Sequence, residues 1–206
     1  MSRFPQTRFL VSAAAAAQFP QDSGIEVAFA GRSNAGKSSA INAIVGHAGL
    51  ARASKTPGRT RLLNFFELGP QRRIVDLPGY GYASAPQEDR ARWLPLLEAL
   101  RERRSLRAMF LVVDARRGLK EGDALLIEWA QPERRALHVL LSKTDKLNRA
   151  EAQRVLRATR EFLGERGTVQ LFSATRGTGV DAAQQTLEAL YALKDPDDLV
   201  ETAGAD

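Results

Sequence analysis

The 206-residue sequence contains no cysteine, so neither a disulfide framework nor a cysteine-type zinc site can be part of its architecture. Its two histidines, His47 and His138, are far apart in the chain, and no Ser/His/Asp constellation accompanies them. Aromatic residues make up only 7% of the chain, and no apolar run approaches the ~20 residues that a bilayer-spanning helix needs. Internal repeats and long Ser/Pro/Gly linkers are also missing, which leaves a single domain large enough to bury its own core. The lack of cysteine agrees with a reducing, cytoplasmic setting. Charge is not scarce: the net value is +6, which suits polyanionic company and suits a solvated arginine-rich surface equally well.

The N-terminus imitates a secretory leader. Arg3 and Arg8 stand before Phe9-Leu10-Val11 and an alanine run from Ala13 to Ala17. The apolar stretch is short, weakly hydrophobic and interrupted by Ser12 and Gln18, so residues 1–23 are read as a segment that packs on the domain. Residues 24–194 form that domain, and the acidic tail 195–206 is expected to fray.

Short β-rich apolar runs alternate with longer helical patterns, the signature of an α/β fold. Strands are predicted at residues 25–30, 62–68, 72–76, 108–114, 137–142 and 168–172. Helices are predicted at 37–45, 86–103, 121–131, 150–163 and 180–193. Only Gly69-Pro70-Gln71 separates the second and third strands, too short for a parallel crossover, so that pair should be a hairpin. The expected architecture is a three-layer P-loop NTPase (small GTPase-like) fold whose mostly parallel six-stranded sheet has one antiparallel strand.

Gly31-Arg32-Ser33-Asn34-Ala35-Gly36-Lys37-Ser38 matches the phosphate-loop pattern, with a strand before it and a helix after it. Successive backbone N–H groups in such a loop face phosphate, and the helix N-terminus adds to the attraction. Lys37 would reach the β- and γ-phosphates and the Ser38 hydroxyl would ligate Mg2+. This pattern alone leaves ATPases, kinases and GTPases open. Asp76-Leu77-Pro78-Gly79 leaves the next strand, where Asp76 can hold Mg2+ through water and the Gly79 N–H can meet the γ-phosphate.

Ser142-Lys143-Thr144-Asp145 follows another apolar strand. An ionised Asp145 only accepts hydrogen bonds, so it can take both N1–H and N2–H of guanine, whereas adenine would leave it unpaired. Polar sites of this kind discriminate by about 10⁴ or more. Lys143 would lay its stem along the base, and backbone N–H groups of Phe172-Ser173-Ala174 could meet the guanine O6. The ordered set of motifs predicts a site for GTP and GDP.

The chain resembles the EngB family (also called YihA or YsxC) of bacterial GTPases, within the TrmE-Era-EngA-EngB-Septin-like class. The resemblance covers residues 9–193. It is carried by the phosphate loop with Ser39, by Ser54-Lys55-Thr56-Pro57-Gly58-Arg59-Thr60, by Asn64-Phe65-Phe66 and by Asp76-Leu77-Pro78-Gly79-Tyr80-Gly81-Tyr82-Ala83. It implies that Thr60 is the switch-loop Mg2+ ligand, a choice over Thr56 that spacing cannot make. It also implies that Gly58, Arg59, Thr60, Arg61 and Leu62 lie along the nucleotide. Residues 47–61 are then a switch loop that orders with the γ-phosphate. Ser142 stands where this class usually has Thr or Asn, and Thr144 replaces a small residue, a change expected to matter little.

A Ras-like enzyme places a water-orienting Gln directly after D-x-x-G; here that position is Tyr80, so slow intrinsic hydrolysis is expected. Lys37, Asn34, Thr60 and Gly79 are the candidate catalytic residues. In related GTPases an Asn at the position of Asn34 helps to bind K+, which would make K+ or a macromolecule the stimulant. Arg59 and Arg61 are alternative charge donors, more simply read as phosphate or RNA contacts. Arg101, Arg103, Arg104 and Arg107 form one basic cluster, and Arg116, Arg117 and Lys120 a second; either could meet RNA phosphate. The resemblance implies assembly of the large ribosomal subunit and a link to cell division and septation. A monomeric protein with no DNA or membrane partner is expected. A P-loop ATPase or kinase without guanine preference, and a self-assembling GTP-regulated division protein, are the competing classes.

Overall fold

The computed structural model describes residues 3–51, 62–80, 87–131 and 135–192. Among the described residues seven strands form one sheet: β1 (Arg8–Ala13), β2 (Ile25–Gly31), β3 (Leu63–Gly69), β4 (Arg72–Asp76), β5 (Leu106–Asp114), β6 (Ala136–Ser142) and β7 (Thr168–Leu171). Their order across the sheet is β1-β3-β4-β2-β5-β6-β7. The α-helices among the described residues are α1 (Lys37–Val45), α2 (Gln87–Arg101), α3 (Glu121–Ala130), α4 (Arg149–Leu163) and α5 (Val180–Tyr191).

Every residue of β2 is buried, as a central parallel strand covered on both faces requires. Alternation along it feeds both sides of the sheet. Val27 and Phe29 join Ile41, Ile44, Phe110 and Leu187 on the side of α1 and α5. Ala28 and Ala30 join Phe65, Leu100, Leu111, Ile127 and Val139 on the other side. Phe29 stacks on Phe110 at 4.8 Å between ring centroids, across neighbouring strands. Burying each such side chain stabilises the fold by about 1.5–3 kcal/mol. These two cores on one sheet make the three layers expected of the sequence.

The hairpin also forms: β3 runs antiparallel to β4. The strand count differs from expectation. β1 pairs antiparallel with β3 and makes a seventh strand, so β3 alone runs against the rest. Its residues Arg8 and Phe9 are exposed, and only Ala13 is fully buried. An edge strand that buries so little carries no strong period-two signal of its own.

Within the first basic cluster Arg104 is exposed, but Arg103 is not a surface cation, which corrects the sequence reading for that residue. Arg103 is buried against a fully buried Glu26, with Nε to Oε2 at 2.7 Å and Nη2 to Oε1 at 2.8 Å. Arg73 shares the same carboxylate at 2.7 Å. Arg101 pairs with Glu98 one helical turn earlier in α2. His138 is packed, as expected: its Nδ1 lies 2.6 Å from Thr168 Oγ1 and its Nε2 3.0 Å from Gln170 Oε1. Because Gln170 Oε1 only accepts, Nε2 carries the proton.

Candidate functional site

The parallel strands β2, β4, β5, β6 and β7 all end at one edge of the sheet, and the motif residues leave from those ends, where open α/β sheets bind ligands. The phosphate loop joins β2 to α1. Asn34 at φ 64° and Gly36 at φ 98° are left-handed, and they turn the backbone into a concave nest ahead of the helix N-terminus. Lys37 Nζ forms an ion pair with Asp76 at the end of β4, and both side chains are largely buried. Burial raises the Asp76 carboxyl above its ordinary range, although Lys37 and Asn64 oppose this.

Leu77 N–H donates to Phe29 O at 2.9 Å, and Ser33 N–H donates to Tyr80 O at 2.9 Å. These bonds bring Asp76-Leu77-Pro78-Gly79 alongside the phosphate loop. A Cβ at Gly79 would lie 2.8 Å from Ser33 Oγ and 3.2 Å from Ser33 Cα, so only glycine permits this approach. The donor set suits Mg2+: a hydroxyl (Ser38) in the first turn of α1 could ligate it directly and a carboxylate (Asp76) at the end of β4 could hold it through water, with phosphate oxygens and water at the remaining octahedral positions. Gly58, Arg59, Thr60 and Arg61 lie outside the described residues, and Leu62 directly precedes β3.

The base-reading motif is joined to the phosphate loop and to the last strand. Ser142 Oγ lies 2.5 Å from Ala35 O and 3.1 Å from Val113 O. Lys143, left-handed at φ 59°, donates from Nζ to Asn34 O at 2.5 Å. Ser173 Oγ donates to Asp145 Oδ1 at 2.6 Å, and this bond holds the Asp145 carboxyl below its ordinary value. Asp145 is therefore ionised and aimed, as a pure acceptor must be. Thr144 does more than expected, since its hydroxyl donates to Phe172 O at 3.0 Å and ties the motif to the end of β7. The terminal tripeptide offers less than expected. Phe172 N–H donates to Leu141 O and Ser173 N–H to Thr178 O, so of the three N–H groups only that of Ala174 is without a backbone acceptor among the described residues.

Tyr80 is committed elsewhere. Its hydroxyl donates to Asp123, whose second oxygen accepts from Lys120 N at 2.7 Å to cap α3. Its ring lies against Gly122, where an added Cβ would sit 3.3 Å away. Burial, then the Asp123 charge, pushes the Tyr80 phenol far above its ordinary value, so it cannot serve as a base.

The comparisons with known proteins agree with this geometry. A family model described as 50S ribosome-binding GTPase matches residues 26–143, which hold the phosphate loop, Asp76 to Gly79 and the first half of the base motif. A relative from Tolumonas auensis, "Probable GTP-binding protein EngB", is 48% identical over 204 residues, covering 96% of both chains. The chain belongs to the EngB family. It is a GTP-binding protein and a GTPase. A Coxiella burnetii member is 47% identical over 192 residues, covering 91% of this chain and 94% of its own. A solved structure titled as a probable GTP-binding protein engB shares the fold at TM-score 0.66 and 24% identity, covering 81% of this chain and 98% of that one.

Two polar residues of this EngB-family chain escaped the sequence reading as individual site residues. Asp114, at the end of β5, accepts from Lys143 Nζ at 3.1 Å and from Arg116 Nε and Nη2 at 2.9 and 2.7 Å. Burial works against its ionisation, but the Arg116 and Lys143 donors prevail and bring the carboxyl down to about 2. Asn64 was visible only as part of a family block. It sits between Ser12 and Asp76 in strand register. Ser12 Oγ donates to Asn64 Oδ1 at 2.6 Å, and Asn64 also bonds the Asp76 side chain. The overlooked β1 thus braces the candidate Mg2+ carboxylate through Asn64.

Proposed function

We propose that the protein is a slow GTP-driven conformational switch that acts in the cytoplasm, as a monomer, in assembly of the large ribosomal subunit. Phosphates lie against residues 31–38, with Lys37 on the β- and γ-groups and Gly79 N–H on the γ-phosphate. Residues 58–62 run along the nucleotide. Asp145, Lys143 and Ala174 read the guanine. Mg2+ is held by Ser38 and Thr60 hydroxyls and by Asp76 through water; when bound, it neutralises phosphate charge.

The observation that carries slow turnover is the Tyr80–Asp123 bond, because the side chain at the water-orienting position is occupied by a structural partner. Asn34 supports a role for K+: its backbone is left-handed at φ 64°, and its side chain makes no hydrogen bond among the described residues. Hydrolysis should be faster in K+ than in Na+, and Asn34→Ala should remove the difference. Equal rates in both salts would end the K+ reading.

The ribosomal reading is supported by the description of the matching family, 50S ribosome-binding GTPase. The link to division and septation rests on the family resemblance. Sedimentation with separated ribosomal subunits, in GTP-analogue, GDP and nucleotide-free states, tests the partner. Association with the large subunit that depends on nucleotide is expected; no association in any state would refute it.

A further inference from the structure

One helix, α4, carries four exposed cations, all of them arginines. Arg101 and Arg103 are engaged with Glu98 and Glu26, and Arg116 with Asp114. By contrast, Arg149, Arg154, Arg157 and Arg160 of α4 are exposed and form no side-chain hydrogen bond or ion pair among the described residues. Arg154, Arg157 and Arg160 follow one another at three-residue spacing and form one stripe, with Arg149 standing apart at the helix start. At 1.5 Å per residue the stripe is about 9 Å long. Glu161 is the exposed acid beside it; Glu151 is used in the capping box with Asn148.

We propose that this arginine face is the surface through which the protein grips the phosphate backbone of RNA. The inference deepens, and rests on, the proposed ribosomal role. All cations of the helix are arginines, whose planar forks match phosphate oxygens. At the C-terminal end of α4, exposed Phe162 carries the Arg166 guanidinium 4.9 Å above its ring centroid. Arg166 is fixed there by the Phe162 and Leu163 carbonyls. Aromatic and guanidinium planes are what unstacked RNA bases lie upon.

A lipid surface is a poorer match. The apolar side of α4, with Val155, Leu156 and Leu163, is packed into the core, and Phe162, the exposed large apolar side chain of the helix, carries a guanidinium on its ring. Arg149 lines the same surface groove as Asp145 and Arg176, so the helix that carries the arginine stripe starts beside the base-reading motif. Nucleotide-dependent changes there would be felt at the RNA contact.

The test compares the full-length protein, an Arg154→Gln/Arg157→Gln/Arg160→Gln variant and a charge-matched control, Arg8→Gln/Arg72→Gln/Arg101→Gln. Each is titrated with ribosomal RNA from large subunits, with intact large subunits and with vesicles of anionic phospholipid, across a salt series. The α4 variant should lose about 10- to 100-fold in RNA affinity, and its log-log salt slope should flatten by about 2–3, at roughly 0.7–0.9 per phosphate contact. GDP affinity and Tm should be unchanged, and the control should bind RNA like the parent. If the parent binds RNA and the α4 variant binds it equally well, or both variants weaken equally, the surface is refuted while the ribosomal reading stands. If the parent binds no RNA or subunit, both fall; binding to vesicles alone refutes the RNA assignment in favour of lipid.

Discussion

Asp114→Asn should loosen guanine nucleotides without changing which base is chosen. The Asp114 carboxylate lies 3.1 Å from Lys143 Nζ, and Lys143 bridges from there to Asn34 O in the phosphate loop at 2.5 Å. Asp114 is 7% exposed and Lys143 31%, so this is a partly desolvated ion pair. A hydrogen bond to a charged group contributes about 1.5–3 kcal/mol. Lys143 keeps its Asn34 acceptor in the variant, so the lower end, about 1.5 kcal/mol, is expected. That corresponds to about a tenfold rise in Kd, equal for GDP and GTP. Competition titration against a fluorescent GDP analogue measures it directly. A double-mutant cycle isolates the cause: in a Lys143→Ala background, Asp114→Asn should add less than about 0.5 kcal/mol. With its carboxyl down at about 2, Asp114 stays ionised through the neutral range, so the parent-to-variant ratio should not vary between pH 5 and about 8. An unchanged Kd, or a full tenfold loss persisting without Lys143, would refute the reasoning.

Other outcomes follow from the same geometry. Asn64→Ala should weaken Mg2+-dependent GTP binding while sparing GDP binding in EDTA, read by titration with and without the metal; equal losses in both would contradict a brace on Asp76. Glu26→Ala leaves Arg73 and Arg103 buried without their shared carboxylate and should cost about 3–5 kcal/mol in denaturant unfolding. His138 is buried and its pKa is lowered from 6.5, so the folded state binds fewer protons than the unfolded chain near that value. Stability conferred by neutral His138 is therefore full above pH 6.5 and lost as pH falls below it, and His138→Gln should flatten that part of a Tm-against-pH curve.

The legible parts of the site were those in which chemistry is written in adjacent residues. The phosphate loop, Asp76 to Gly79 and Ser142 to Asp145 each occupy one turn at one strand end, so spacing was enough to identify them. What was missed joins distant segments. Ser12, Asn64 and Asp76 meet only because β1, β3 and β4 lie side by side, and β1 was read only as part of a segment packing on the domain, not as a strand. Arg103 read as a surface cation because its partner Glu26 is 77 residues away. Thr144 and Asp114 looked incidental until Phe172 O and Lys143 were found opposite them.

The central claim, a phosphate loop made guanine-specific by Asp145, is tested most directly by titrating the protein with GDP, GTP and ATP under one set of conditions and repeating the series with Asp145→Ala. The account predicts that the guanine nucleotides bind the parent at least about 10⁴-fold tighter than ATP, and that the variant loses most of that preference. Equal binding of ATP and GTP by the parent, or a preference that survives the loss of Asp145, would contradict it.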